Sequence, residues 1–266
     1  MITRTTTKTT AFAVLVMAGL IGGGGLLAFM LFLYAGPFNL VNIGLGEIPA
    51  LLLNAFLCLL FFIQHSSMAR GSFYKHLTRF MPVRYGGVLY AVSSGIIVLA
   101  LVIFWQDSAY TLFDLQGISR WFFRTVFFLA IVNVIWALST GFFVLYRLQP
   151  NLDDLRGVES RVAPLITRGP YRWIRHPLYL SALLLLWSYP DFSLDRLLLN
   201  LLFTAWVIAG TLLEERKLVA TYGEAYRNYQ SNVPMMIPWR ISPGWKKDEF
   251  ATGLTGATGN GINQKQ

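Results

Sequence analysis

Long apolar runs alternate with short polar stretches along this chain. Six runs stand out: Ala11–Tyr34, Ile48–Gln64, Tyr85–Trp105, Trp121–Tyr146, Pro177–Tyr189 and Ser193–Leu213. About 20 apolar residues cross the hydrocarbon core of a bilayer as a helix. Most of the runs suit that length, but Pro177–Tyr189 has only 13 residues. It extends back through Tyr171–Ile174, tilts little, or stops short of the far surface. The pattern predicts an all-α polytopic transmembrane helical bundle of about six spans, or five if the fifth is re-entrant. The first run exceeds the 7–15 residues of a signal-peptide core, and no clear small-residue cleavage site follows it. An uncleaved first span is expected.

Charge along the loops orients these spans. Arg4 and Lys8 precede the first run, and the next loop, Ala35–Glu47, has no Lys or Arg. His65–Arg84 carries Arg70, Lys75, Arg79 and Arg84, whereas Gln106–Ser119 carries only Asp107 and Asp114. Arg147–His176 holds six arginines, and the turn Pro190–Leu194 has none, although Arg196 follows. Positive charge collects in cytoplasmic loops. Both termini are expected in the cytoplasm, in the inner membrane of a bacterial cell.

Composition agrees. Apolar residues make up 55% and charged residues 13%, with a mean hydropathy of +0.52. A soluble domain carries about 25% charge. The net charge of +9 does not indicate nucleic acid as a partner, because the cations lie in alternate loops rather than on one face. The lipid bilayer is the expected partner, with oligomeric state left open. Cys58 is the only cysteine, which excludes an internal disulfide and a cysteine-based metal site. It is expected to be a small buried residue, and no metal is expected. Residues 1–250 read as a single domain. Ala251–Gln266, rich in Gly, Thr, Asn and Gln, reads as a disordered tail. Gly22–Gly25 lies inside a span and reads as a close-packing or a flexible point, not a phosphate loop.

Chemistry concentrates in two polar clusters. The first is Gly169-Pro-Tyr-Arg-Trp-Ile-Arg-His-Pro-Leu-Tyr179. Pro177 suits the first position of a helix, which puts His176 at the cap, next to free amides and the positive dipole end. The plain alternative is membrane anchoring with a capping histidine. The second cluster, Glu214-Glu215-Arg216-Lys217, starts 38 residues after His176. The two apolar runs between them return the chain to the face it left, which brings the clusters together. Carboxylates at that depth need partners. Lys217 and interfacial water are one choice, Arg175 or the amine of a ligand the other. Adjacent helical residues diverge by about 100°, so one Glu is expected to face a given pocket.

Beyond them, Gly223 can end the sixth helix. Tyr222, Tyr226 and Tyr229 would form a stripe on a continuous helix, either as a membrane belt or as a wall for a cation. Pro234 and Pro238 bracket a segment expected to re-dock on the membrane. His65, at the end of the second run, reads equally as a proton acceptor or as an interfacial histidine. There is no H-E-x-x-H, Walker loop, G-x-S-x-G or Rossmann fingerprint.

Gly169-Pro-Tyr…Arg175-His-Pro-Leu-Tyr179, Glu214-Glu215 and Tyr222-Gly-Glu-Ala-Tyr226…Tyr229…Val233-Pro…Pro238 together resemble the membrane-embedded S-adenosylmethionine-dependent methyltransferases. That superfamily includes isoprenylcysteine carboxyl methyltransferases and phospholipid methyltransferases. The match covers Gly169 to Pro238. Gln64-His65-Ser66…Met68-Ala69-Arg70 resembles the branch of methanethiol S-methyltransferases and NnrU-like proteins. The first and fourth runs and Leu148–Arg168 give no specific match. The resemblance implies that S-adenosyl-L-methionine is the cofactor. Tyr171, Arg175, His176 and Tyr179 would contact it from one side, and Glu214 and Glu215 from the other, with Tyr226 nearby. It implies methyl transfer to a small or lipophilic acceptor, a thiol above all, with His65 or Glu215 as the candidate catalytic base. The alternatives are a phospholipid amine or an isoprenylcysteine-type carboxylate as acceptor, or an NnrU-like protein without catalysis.

Overall fold

The computed structural model describes residues 16–70, 73, 76, 79, 85–140 and 165–239. The tail Ala251–Gln266, the start of the first run, the end of the fourth and most of Arg147–His176 lie outside the described residues. Among the described residues, five helices are long and apolar enough to cross a membrane. The protein is an integral membrane protein with an all-α polytopic bundle.

The first span opens with a π-helical turn, Ala18–Gly23, and continues as α1, Gly24–Ala35. It packs against α3, Gly86–Phe104. A side chain on Gly25 would approach the carbonyl oxygen of Gly95 to 2.6 Å, and one on Gly95 would collide with the carbonyl of Ile21. Small residues let two backbones touch where lipid supplies no hydrophobic drive between helices. Of the two readings of Gly22–Gly25, close packing holds at Gly22 and Gly25, whereas Gly23 and Gly24 are uncrowded.

Between these helices in sequence runs α2, Glu47–Met68. It carries Cys58, which is fully buried. Phe61, Phe62 and Cys58 join Phe29, Phe32, Leu101, Leu199 and Phe203 in the main apolar core. α4, Gly117–Ser139, follows, and half of its apolar side chains are exposed, an outer surface suited to lipid.

α5, Pro177–Trp187, has 11 residues, two fewer than the run suggested. At 1.5 Å per residue it rises about 16 Å, roughly half the hydrocarbon thickness. Other elements hold both of its ends. Asn133 of α4 donates to the carbonyl of Pro177 at 3.1 Å and to Ser181 Oγ at 2.8 Å. At the other end, Nη2 of the buried Arg196 donates to the carbonyls of Leu33 and Leu186, each at 3.1 Å. One cation thus caps the last turns of α1 and α5, where the helix dipoles favour positive charge. This gives Arg196 a structural role on a face whose loops otherwise lack cations.

α6, Leu194–Tyr222, has 29 residues and is longer than the run Ser193–Leu213. It rises about 43 Å, which exceeds the core by roughly two and a half turns. Glu214 to Tyr222 therefore continue as helix beyond the apolar stretch. Gly223, at φ +58°, reverses the chain into α7, Glu224–Asn232.

At the opposite end of the bundle the loops form a polar lattice. Thr111–Asp114 (β1) pairs antiparallel with Asp191–Ser193 (β2). Arg120 bridges Asp114 and Asp191. The indole of Trp105 donates to Asp195 Oδ2 at 2.8 Å, and Asn54 exchanges hydrogen bonds with the backbone of Gln106 at 2.6 and 3.0 Å. These ties fix the starts of α2 and α6 and the end of α3, and so set the relative height of the helices whose other ends carry the candidate site.

Candidate active site

The two polar clusters meet where α5 begins and α6 leaves its apolar stretch. Glu215 is the hub. Arg175 donates to it with Nε at 2.9 Å and Nη2 at 3.0 Å. His176 Nε2 lies 2.6 Å from Oε1, Tyr226 Oη donates to Oε1 at 2.8 Å, and Gln230 Nε2 donates to Oε2 at 2.5 Å. Both oxygens are multiply bonded and the residue is 8% exposed. The remaining nitrogen of Arg175, Nη1, donates to the carbonyls of Gln230, at 3.1 Å, and Val233.

Local structure explains the convergence. Gly169, at φ +60°, begins a 3-10 turn over Gly169–Arg172. There is no room for a side chain, because one would collide with Thr140 at the end of α4. The chain then extends, and the amides of Arg175 and His176 donate to the carbonyls of Pro234 and Met235 at 2.9 and 3.0 Å. The segment after α7 therefore docks on the backbone of the first cluster. Pro177 opens α5 with His176 at its cap position, as expected. The His176 side chain makes no capping bond and turns to Glu215 instead.

The tyrosines do not form one stripe. Gly223 interrupts the helix between Tyr222 and Tyr226, and α7 folds back so that Tyr226 and Tyr229 are buried against α6. Tyr229 Oη donates to the carbonyl of Tyr171 at 2.5 Å. Burial pushes both phenols above their ordinary range, and for Tyr226 the hydrogen bond to the Glu215 carboxylate adds to the effect. Burial likewise raises Tyr171, with the Glu214 charge as the second cause. These phenols stay protonated and act as donors. The membrane-belt reading is therefore set aside for Tyr226 and Tyr229.

Glu214 differs from its neighbour. It is half-buried on the adjoining face of α6 and accepts from Tyr179 Oη at 2.5 Å. Tyr179 stacks on the His176 ring, with centroids 5.4 Å apart. One turn before Glu214 sits Gly210, where a side chain would meet nothing within 4 Å. Half-buried Trp206 comes one turn earlier again on the same face. Glu214 is thus a half-buried carboxylate bonded to one phenol, with an uncrowded glycine one turn before it.

His65 joins this region through α6. Its ring lies 5.1 Å from that of Trp206, and Trp206 Nε1 donates to Ser66 Oγ at 3.0 Å. The His65 Nε2 and the Tyr90 hydroxyl are 2.5 Å apart. Beyond His65, Ser67, Arg70, Phe73 and His76 line a surface concavity of about 300 Å³.

Sequence reasoning missed Gln230, Tyr90 and Trp206. Gln230 reaches the hub only because the chain reverses at Gly223. The helix period around His65 gave no hint of a partner on α3. A signal for Trp206 was present: Trp206, Gly210 and Glu214 follow four-residue spacing.

Comparison with known proteins bears on this geometry. A methanethiol S-methyltransferase of Pseudomonas deceptionensis is 31% identical over 198 residues, which covers 73% of this chain and 76% of that protein. Methanethiol S-methyltransferase 2 of Bradyrhizobium diazoefficiens is 33% identical over 195 residues, covering 73% and 74%. The chain belongs to the methanethiol S-methyltransferase family.

As a member of that family it is an enzyme that transfers methyl groups. A protein-S-isoprenylcysteine O-methyltransferase of Tribolium castaneum is 26% identical over 150 residues, or 48% of this chain and 52% of that protein. The wider resemblance to membrane methyltransferases therefore also holds. No family model matches the chain, and no solved structure matches it significantly.

Proposed function

We propose that the protein methylates a small thiol with S-adenosyl-L-methionine as donor, at the cytoplasmic face of the membrane. The observation that carries this reading is the unequal use of the two glutamates. Glu215 is saturated by protein donors, which leaves Glu214, half-buried, bonded to Tyr179 and one helical turn from the uncrowded Gly210, as the carboxylate with accepting capacity to spare.

That donor set fits the cofactor. The cofactor carries a sulfonium and an ammonium charge together with ribose hydroxyls. A half-buried carboxylate accepts hydrogen bonds from an amine or a hydroxyl, and tyrosine faces attract onium groups. Glu214, Tyr179 and Tyr171 would hold it. Arg175, His176, Glu215 and Tyr226 would act one layer behind by fixing α5 and α7 on α6. Arg175 and Glu215 move in this way from direct contact to positioning, because their polar atoms are already engaged. Glu215 is for the same reason no free base. When bound, the cofactor supplies the methyl carbon and keeps the electron pair of the broken carbon–sulfur bond as a neutral thioether.

His65 is the base in this reading. It takes the thiol proton, and the thiolate sulfur forms the new bond to the methyl carbon. A positioned base contributes about 10²–10⁴-fold. Pre-alignment and exclusion of water supply the rest. The cytoplasmic placement follows from the basic loops that flank this end of the bundle.

Labelled methyl transfer to methanethiol, to phosphatidylethanolamine and to an isoprenylated cysteine tests the proposal. The purified protein in detergent should label the thiol. Label in either lipid-linked acceptor with none in the thiol would replace it. Donor binding without transfer to any of the three would remove it.

A further inference from the structure

We infer that ordered water is bound inside the bundle between Arg196 and Asn200, as a bridge that completes the joint where α1, α5 and α6 meet. Among the described residues, four buried side-chain polar atoms have no hydrogen-bond partner. All four belong to these two residues: Arg196 Nε and Nη1, and Asn200 Nδ2 and Oδ1. Buried polar groups in folded proteins are otherwise bonded, to protein or to ordered water. About 28 Å of α6 separates Arg196 from Glu215, so this site is distinct from the candidate active site.

Helix geometry brings the two residues together. They lie four positions apart on α6, so their side chains share a face. Cβ atoms at that spacing are about 5–6 Å apart. Helical side chains lean toward the N-terminus, which tips Asn200 over the turn that carries Arg196. Both are sealed in, with Arg196 2% and Asn200 0% exposed. The rest of the guanidinium is already in use. Nη2 donates to the carbonyls of Leu33 and Leu186, and the Tyr189 ring centroid lies 4.5 Å from Cζ. The neighbouring carboxylate is engaged elsewhere: Asp195 accepts from the Trp105 indole at 2.8 Å and from the amide of Ser108 at 3.1 Å. Among the described residues, Arg196 forms no ion pair.

The unmet atoms select the occupant. Nε, Nη1 and Nδ2 are donors, whereas Oδ1 is an acceptor. A halide accepts from the donors but leaves Oδ1 unmet. An ammonium-type cation donates to Oδ1 but is repelled by the guanidinium. Water both accepts and donates, and a buried water makes about three hydrogen bonds. An alcohol offers the same bonds, but its carbon needs room that a close-packed core does not give. Leu199 and Phe203, on either side of Asn200 in sequence, belong to that core. The role that follows is mechanical. α5 is short, and Arg196 ties its last turn to that of α1. Water bonded to Asn200 anchors the guanidinium one turn further along α6, and so fixes the direction in which it caps both helices.

The sign of one substitution tests the bridge. Asn200→Leu keeps a branched side chain of similar shape and removes both amide atoms. If water links the pair, the variant strands the water and Arg196, and its thermal midpoint in detergent should fall by at least about 2 °C. If the amide were simply unmet, the same change would relieve a desolvation penalty and raise the midpoint. A raised or unchanged midpoint therefore overturns the bridge. A density map of the full-length wild-type protein, at a resolution that shows ordered water, is the second measurement and stands even if Asn200→Leu does not fold. It should show density within hydrogen-bond distance of Asn200 and of Arg196 Nε or Nη1. A direct Arg196–Asn200 bond, or no density between the two side chains, overturns the proposal. So does an anomalous peak there from crystals grown in bromide, which would assign the site to a halide.

Discussion

Arg175 and Glu215 meet as a two-point pair, with Nε and Nη2 lying 2.9 and 3.0 Å from the two carboxylate oxygens. The pair joins the residue that precedes α5 by two positions to the residue where α6 leaves its apolar stretch, and both side chains are about 10% exposed. Buried charges of this kind are costly to separate, because removing one strands the other, at about 3–5 kcal/mol. Glu215→Ala should therefore lower the thermal midpoint in detergent by several degrees even without ligand. Arg175→Lys should recover only part of the loss, since a lysine cannot satisfy both oxygens at once. A wild-type midpoint in Glu215→Ala would show that the pair does not hold the hairpin.

Glu214→Gln is the contrasting substitution. Glu214 accepts from Tyr179 and makes no ion pair among the described residues. The variant should keep the wild-type midpoint and lose S-adenosyl-L-methionine affinity by about tenfold or more, as expected for loss of a charge-assisted hydrogen bond. Isothermal titration on both glutamate variants separates the two roles. His176→Ala is expected to resemble Glu215→Ala, because its ring bonds the hub.

Alkaline pH probes the tyrosines. Burial raises Tyr226 and Tyr229 above an ordinary phenol value of 10.0. A folded-state pKa above the unfolded one contributes stability that is complete below the unfolded value and is lost as pH rises through the folded one. The midpoint should fall from about pH 10 upward. Tyr226→Phe/Tyr229→Phe should show a shallower fall over that range, beginning from a lower midpoint. Equal slopes would mean that other groups control the alkaline limb.

How much of this was legible in the sequence differs by element. The long apolar runs and the return of the α5–α6 hairpin follow from period and length, so the meeting of Arg175 with Glu215 was foreseeable as one of two alternatives. The sorting of Glu214 from Glu215 was legible only as a rule that one of them would face a pocket. Which one depends on helix phase, and the stripe Arg196, Leu199, Asn200, Phe203, Val207, Thr211 settles it by carrying Glu215 inward. The reversal at Gly223 was read as a helix end, but its sign and angle depend on tertiary packing. Gln230 therefore had no signal. The pairing of β1 with β2 joins segments about 80 residues apart and is too short for a pattern to show.

Orientation has its own test. Ser108 lies at the end of the bundle that carries β1 and β2, whereas Thr221 is exposed on the last turn of α6 beside the candidate site. Cysteines at the two positions should label from opposite faces, with Ser108→Cys reached from outside the cell and Thr221→Cys only after permeabilisation. Cys58 is fully buried and should stay silent. Labelling of both from one face would overturn the bundle's orientation.

The last prediction concerns His65. A thiol is a poor nucleophile near neutral pH because little of it is ionised, with a pKa of about 8.5 or higher. If His65 takes the thiol proton, His65→Ala should lower methyl transfer about 10²-fold. It should leave cofactor affinity nearly intact, because Glu214 and Tyr179 are untouched. Raising the pH should partly restore the variant, since bulk ionisation then replaces the base. A histidine that only packs between Phe61 and Trp206 predicts a different result: a smaller loss, with a pH–rate curve parallel to the wild type. His65→Phe sharpens the comparison by keeping a ring between Phe61 and Trp206 without a proton acceptor. It should behave like His65→Ala in rate and rescue, but keep the wild-type thermal midpoint. Full pH–rate curves for the three proteins decide the matter. Parallel curves would leave His65 as a packing residue between Phe61 and Trp206 and return the question of the base to the solvent.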